Sequence, residues 1–347
     1  MTNPMNQRPV AIWLFICCAA IFAMVLLGGV TRLTGSGLSM VKWEPITGIL
    51  PPLNASEWRE VFELYQQSPE YQKLNYHMDV EAFKSIFYFE YAHRVLGRLI
   101  GFIFLLPMLF FIFTKRVTRG LTPKLIAMFV LGGLQGLLGW YMVKSGLVNQ
   151  PSVSQYRLTA HLGLAVIIYI YILWIGLSLF FQHRPRPLAT IPAGPKRLAL
   201  GISGLAFITI LSGGFVAGLR AGFAYNTFPT MNGEWIPTGI LHMTPLWRNL
   251  FENGITAQFD HRVLATLLFL LIPTLWWTAR KCSLPGELRV GLHLLLAALA
   301  LQVTLGISTL LLHVPVPLAS AHQGGALLLL TASLFVSHRL LQPTSNR

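Results

Sequence analysis

The stretch Glu90-Tyr91-Ala92-His93-Arg94-Val95-Leu96 recurs as Gln258-Phe259-Asp260-His261-Arg262-Val263-Leu264, and each copy opens an apolar run long enough to cross a membrane. Ionisable side chains are expensive in spanning segments, so a His-Arg pair kept twice marks functional positions. The copies differ where chemistry is most sensitive: the acid Glu90 becomes the amide Gln258.

The duplication extends outward from these motifs. An offset of 185 places Gly28, Gly29, Gly37 and Gly48 on Gly213, Gly214, Gly222 and Gly233, and an offset of 168 superposes the two histidine motifs. An offset of 167 matches Leu134, Gln135, Leu138 and Gly139 to Leu301, Gln302, Leu305 and Gly306, and 161 matches Ala160, His161 and Gly163 to Ala321, His322 and Gly324. Ordered blocks with polar anchors predict two tandem four-helix units. Four being even, both units keep one orientation, and the expected pseudo-twofold axis runs along the membrane normal.

Composition agrees with a membrane location. Mean hydropathy is +0.59 and only 11% of residues are charged, against about 25% in soluble domains. Eight apolar runs, 11–30, 88–113, 121–143, 156–181, 198–217, 257–278, 290–312 and 318–336, approach or exceed the length of a spanning helix. The predicted fold is an all-α integral membrane protein of eight transmembrane helices, residues 1–182 forming one four-helix half and 183–347 the other.

With the first run read as a retained helix, both termini share a side. Fourteen of the 26 Lys and Arg residues lie in the even-numbered loops and the tails, nine in the odd-numbered loops, while nine of the twelve acids fall in the odd-numbered loops. The positive-inside rule makes the first side cytoplasmic. The net charge of +14 therefore reports topology, and nucleic acid is excluded as a partner because no recognition module accompanies the dispersed cations. Cys17 and Cys18 fall inside the first helix and Cys282 in a cytoplasmic loop, so no disulfide pair reaches the oxidising side.

The long outer segment 31–87 carries helix signals of its own. Asn54 with Glu57 resembles a capping box, Ser68-Pro69-Glu70 reads as the start of a second helix, and Trp58, Val61, Phe62 and Tyr65 share a face. The expected arrangement is a helix lying on the bilayer surface, ahead of a lid that gates a site, and the two are compatible.

His93, His161, His261 and His322 each sit within about the first five residues of an even-numbered predicted helix, which places all four at a similar shallow depth. Two pairs of neutral imidazoles in an apolar bundle suit axial ligation of heme iron. Zinc would ask for further Cys, Asp or Glu ligands, which are not supplied symmetrically. Glu90, three residues before His93, shares its helix face. Arg94, Arg98 and Arg262 are candidates for pairing with heme propionates. His77, His183, His242, His293 and His338 have no repeated partner and read as structural or solvated; His313, at the outer end of the seventh helix, stays open.

These motifs, together with Gly28-Gly-Val-Thr-Arg-Leu-Thr-Gly-Ser-Gly-Leu-Ser, Trp43-Glu-Pro-Ile-Thr-Gly-Ile-Leu-Pro-Pro, Ala217-Gly-Leu-Arg-Ala-Gly and Asn226-Thr-Phe-Pro-Thr-Met, make the chain resemble heme A synthases over essentially its whole length, in their proteobacterial and mitochondrial branch. The resemblance implies heme b held by His261 and His322 with Arg262 beside it, and the substrate heme O held near His93 and His161 with Arg94 and Arg98. It implies an essential Glu90 and oxidation of the C8 methyl of heme O to a formyl group by successive hydroxylations, serving cytochrome c oxidase biogenesis. One branch of that family carries cysteine pairs in the outer loops; this chain has none, so no loop disulfide takes part.

Expected partners are heme O and membrane lipid, with heme O synthase, oxidase assembly factors and a second copy of the chain as further possibilities. With no transit peptide ahead of the first helix, the expected home is a bacterial inner membrane, heme sites toward the periplasm. Two other classes compete: a diheme cytochrome b electron carrier, which has no need of Glu90 opposite Gln258, and a transporter with repeated halves. Bound heme O or heme A marks the enzyme, heme b alone the carrier, and a colourless protein the transporter.

Overall fold

The computed structural model describes residues 7–42, 48–146, 152–182 and 191–341. His183 and positions 43–47 of the Trp43–Pro52 motif lie outside them. Eight helices are long and apolar enough to cross a membrane: α1 (Arg8–Leu33), α3 (Val80–Phe113), α4 (Thr122–Gly146), α5 (Gln155–Phe180), α6 (Ala193–Gly218), α8 (Gly254–Ala279), α9 (Gly286–Leu311) and α10 (Val316–Leu341). Two shorter helices, α2 (Ala55–Gln66) and α7 (Asn249–Glu252), lie in the long connections. In lipid every backbone N–H and C=O must be satisfied internally, so uninterrupted apolar runs can only wind as helices. Their starts are capped where the chain leaves the membrane: Asp79 accepts from the Ala82 N–H (2.8 Å) and Asn253 from the Ile255 N–H (3.0 Å).

Helix α1 packs on α3 and α5, and α4 bridges α3 and α5, closing four helices into a ring. Likewise α6 packs on α8 and α10, and α9 bridges α8 and α10. The rings meet where α1 and α5 touch α10 and where α5 touches α6. Burial follows: 67% of the most apolar window of α10 is buried, against 6% for α4. Thus α10 belongs to the inner wall while α4 faces outward, and the main core runs through Leu14, Ile202, Ile272 and Leu330.

The long connection between α1 and α3 meets one expectation and departs from another. Helix α2 does begin at Asn54, whose Oδ1 accepts from the Glu57 N–H (3.0 Å) while Glu57 Oε2 accepts from the Leu53 N–H (2.7 Å). Its apolar face, however, does not rest on lipid. Trp58 and Tyr65 are buried against Phe83, Ile86 and Phe87 on an outward extension of α3, with Val61 and Phe62 packed beside them. The Ser68-Pro69-Glu70 signal does start a second, short helical stretch: residues 69–70 are α-helical and run into a π turn, Tyr71–Asn75, and Ser68 Oγ accepts from the Tyr71 N–H (3.2 Å). Tyr65 Oη donates to Glu70 Oε2 (3.1 Å) and accepts from Asn75 Nδ2 (2.7 Å), tying this stretch to α2.

With α2 covering its apolar side, α3 begins at Val80, ahead of the expected span, and is 34 residues long in all, roughly 50 Å at 1.5 Å per residue. His93 therefore lies in the fourth turn of its helix rather than the first.

Candidate functional site

All four paired histidines lie at the end of the bundle that carries the two long connections, and each imidazole rests on a glycine of a neighbouring helix. A Cβ at Gly28 on α1 would come 3.1 Å from His93 Cε1, and one at Gly213 on α6 would come 3.2 Å from His261 Cε1. At Gly139 on α4 the distance to His161 Cε1 would be 2.9 Å, and at Gly306 on α9 the distance to His322 Cε1 would be 2.8 Å. These are the glycines that the sequence offsets pair. Any side chain there would push the ring out of place, so absent Cβ atoms set where the four imidazoles stand.

His261 and His322 face each other with ring centroids 6.3 Å apart and planes at 82°. Metal-bound imidazole nitrogens sit about 2 Å from the metal. Two such bonds in line, plus the two ring radii, span roughly 6 Å, a length that the centroid separation matches. The Ser212 hydroxyl sits 2.7 Å from His261 Nδ1 and leaves Nε2 as the nitrogen turned to other work, the usual role of a neighbour that fixes a ligating imidazole. His93 lies within electrostatic reach of His161. Gln135 on α4 donates to the His161 carbonyl (3.0 Å). The Nδ1 atoms of His93, His161 and His322 are buried without a hydrogen-bond partner and lie beside the glycine platforms, 3.6, 3.5 and 3.3 Å from a Cβ placed at Gly28, Gly139 and Gly306, a costly state for a polar atom. Among the described residues no group of three or more His, Cys, Asp or Glu gathers as a metal site.

Glu90 is buried, 3% exposed, and both its oxygens are occupied. Oε2 accepts from Ser39 Oγ (2.7 Å) and the Met40 N–H (2.9 Å), and Oε1 accepts from Arg94 Nη2 (2.6 Å) and Nε (3.1 Å). The remaining Arg94 N–H groups donate to the Met40 carbonyl (2.9 Å) and the Lys42 carbonyl (3.2 Å). Arg98 lies one turn further along α3, within electrostatic reach of Arg94 and Tyr91. In the other half, Gln258 Nε2 and Arg262 Nη2 both donate to the Tyr225 carbonyl (3.0 and 3.1 Å), and Arg262 Nη1 reaches the Thr230 carbonyl (3.3 Å). The sequence did not disclose that these arginines hold backbone carbonyls, nor that Ser39 and Ser212 support the site; the Gly28–Ser39 motif was the only hint of the former.

His313 takes a left-handed backbone conformation (φ 61°) just after α9, at the turn into α10. His242 Nδ1 sits 2.6 Å from the Gly239 carbonyl, His293 Nδ1 sits 2.8 Å from the Arg289 carbonyl, and His338 is buried with Nε2 3.0 Å from the Ser178 hydroxyl. His242 and His293 serve their own local structure, while His338 links α10 to α5.

Fold and site together define a polytopic helical membrane protein with two pairs of half-buried imidazoles near one end of its bundle. The chain belongs to the cytochrome oxidase assembly protein family COX15-CtaA, which it matches over residues 11–334. It is 54% identical over 334 residues to the heme A synthase of Nitrosospira multiformis, covering 96% of this chain and 94% of that one. The heme A synthase of Nitrosomonas eutropha is 50% identical over 341 residues, with the same coverage, and human heme A synthase COX15 is 45% identical over 340 residues, covering 96% of this chain and 83% of the human one.

Proposed function

We propose that the chain is a heme A synthase that oxidises the C8 methyl of heme O to a formyl group. The observation that carries this is the presence of two imidazole pairs on glycine platforms, only one of which has a carboxylate beside it. His261 and His322 would hold a resident heme b, and His93 and His161 the substrate heme O. Bound heme b supplies a one-electron carrier close to the substrate half.

The protein's own residues then do three things. Apolar helix walls exclude bulk water and bind the porphyrin faces. The histidines fix the height of the substrate, so that one edge is presented repeatedly to the same groups. Glu90, its two oxygens held by four hydrogen-bond donors, stands on the face of α3 that carries His93. There it takes a proton from water or holds a developing positive charge, either of which needs a carboxylate and neither of which Gln258 can do. Conversion of a methyl to a hydroxymethyl group with water releases two electrons and two protons, and a second round releases two more and gives the hydrated aldehyde, which loses water to the formyl group; the four electrons pass to an external one-electron oxidant. Arg98 remains a candidate for a substrate propionate and Arg262 for one on heme b. The charge bias of the loops supports a bacterial inner membrane with both termini cytoplasmic and the histidine pairs toward the periplasm.

Extraction and chromatography of the hemes bound to purified variants test this reading. Glu90→Gln is expected to retain heme while heme A formation falls at least 100-fold, the scale of a lost acid-base group. His261→Ala is expected to lose heme b. Near-normal heme A output from Glu90→Gln refutes the catalytic carboxylate, and a wild-type protein with heme b alone refutes the enzyme.

A further inference from the structure

The two histidine motifs grip the chain in corresponding places. Met40 and Tyr225 are related by the same offset of 185 that pairs Gly28 with Gly213. Met40 is held by Glu90 and Arg94, and Tyr225 by Gln258 and Arg262, residues paired by the offset of 168. In each half, then, one turn of the histidine helix clasps a strap of the outer connection. Around the first clasp the strap is well buried: Ser36 and Ser39 are fully buried and Leu38 is 4% exposed.

The clasps differ in what happens when the strap lifts. In the first half, Glu90 and Arg94 are four residues apart on α3 and paired at 2.6 Å. If Ser39 to Lys42 move away, the carboxylate and guanidinium still neutralise each other, and incoming water replaces the strap's donors and acceptors. In the second half, Arg262 donates to the carbonyls of Tyr225, Pro229 and Thr230, and its neighbour Gln258 is neutral. Lifting that strap strips a half-buried cation of its acceptors with no carboxylate at position 258 to receive it. A cation that loses its acceptors must rely on water alone, whereas one that keeps its counter-ion stays neutralised, so the second strap is the harder to lift.

We propose that Arg94 is a positioning residue whose ion pair with Glu90 makes the Ser39–Lys42 strap a releasable clasp over the His93/His161 half, while Gln258 and Arg262 lock the corresponding strap over the His261/His322 half. Resting on the assignment of substrate to the first pair, this gives the half that must exchange its heme an opening that the half with a resident heme lacks. The acid at position 90 thus has a second duty besides chemistry: it keeps the guanidinium neutralised while the strap is up. Arg94 acts through Glu90 and the strap, not on the substrate.

Thiol labelling of the purified full-length chain tests the proposal. In a background with Cys17, Cys18 and Cys282 replaced, a single cysteine is placed at Met40 or at Tyr225 and its reaction with a water-soluble maleimide is timed. The expected result is faster labelling at position 40 than at 225. Arg94→Gln is expected to raise the rate at position 40 about tenfold, as loss of charged hydrogen bonds should, with Arg94→Lys falling between. Glu90→Gln is expected to slow it, because it recreates the second half's clasp, and Gln258→Glu to speed labelling at position 225. Equal rates at the two positions, unmoved by Glu90→Gln and Gln258→Glu, overturn the proposal. The Gln258→Glu arm stands even where an Arg94 variant fails to fold. Because the reagent reads the straps alone, the result is separate from which hemes copurify.

Discussion

Single residues set two measurable properties. Burial pushes the Glu70 carboxyl up to about 7 from its ordinary 4.5; nearby Glu90 adds to the rise, while the Tyr65 hydroxyl and Arg220 oppose it. Between those two values the folded outer cap holds a proton that the unfolded chain releases, so stability falls as pH rises from 4.5 toward 7 and levels off above. The loss is about 3 kcal/mol, at 1.36 kcal/mol per pH unit. Protease susceptibility of residues 48–79 should accordingly increase from pH 5 to pH 8, and Glu70→Gln should flatten that dependence. A second expectation concerns the glycine platforms. Gly306→Ala sets a methyl 2.8 Å from the His322 ring, a contact that real Cβ atoms essentially never make, so the ring must tilt. The Soret spectrum of bound heme should change in this variant while its helical circular dichroism does not. The sequence exposed Gly306 only as a repeated glycine; that it underlies an imidazole is a fact of helix packing, visible only once α9 and α10 are side by side.

At the scale of elements, the spanning helices were legible because lipid leaves an apolar run no alternative to a helix. The boundaries shifted at α3, where the run begins at Val80 instead of Tyr88. Sequence periodicity shows that Trp58, Val61, Phe62 and Tyr65 share a face, but not what that face meets: bilayer and protein are equally apolar covers. The structure supplies α3 as the cover, with Trp58 5.1 Å from Phe87 and Tyr65 stacked on Phe83 at 4.9 Å. Removing the indole should cost the cap about 3 to 5 kcal/mol, the usual range for a buried aromatic cut to alanine. In Trp58→Ala, hydrogen exchange should therefore quicken in α2 and in the first two turns of α3 and leave α5 and α10 unchanged. Equal quickening throughout would show the cap and the bundle to be one cooperative unit.

Across the whole molecule, the repeat was the most informative thing written in the chain. Its offsets named the four histidines and the four glycines that the structure brings into contact. What the offsets could not convey was partnership between distant segments: that Ser39 and Met40 meet Glu90, or that Arg32 reaches across to donate to the Ala217 carbonyl at 2.9 Å. Such bonds depend on the path of loops, for which composition carries little information.

The length of α3 has a mechanical corollary. A continuous helix of 34 residues exceeds the roughly 30 Å hydrocarbon layer by some 20 Å, so its first turns form a mast projecting into water. Everything bolted to that mast, α2 included, shares a rigid shaft with His93. A shift of the cap is therefore carried along one continuous helix to the His93 ring below, a mechanical link between the far end of α3 and the interior of its bundle.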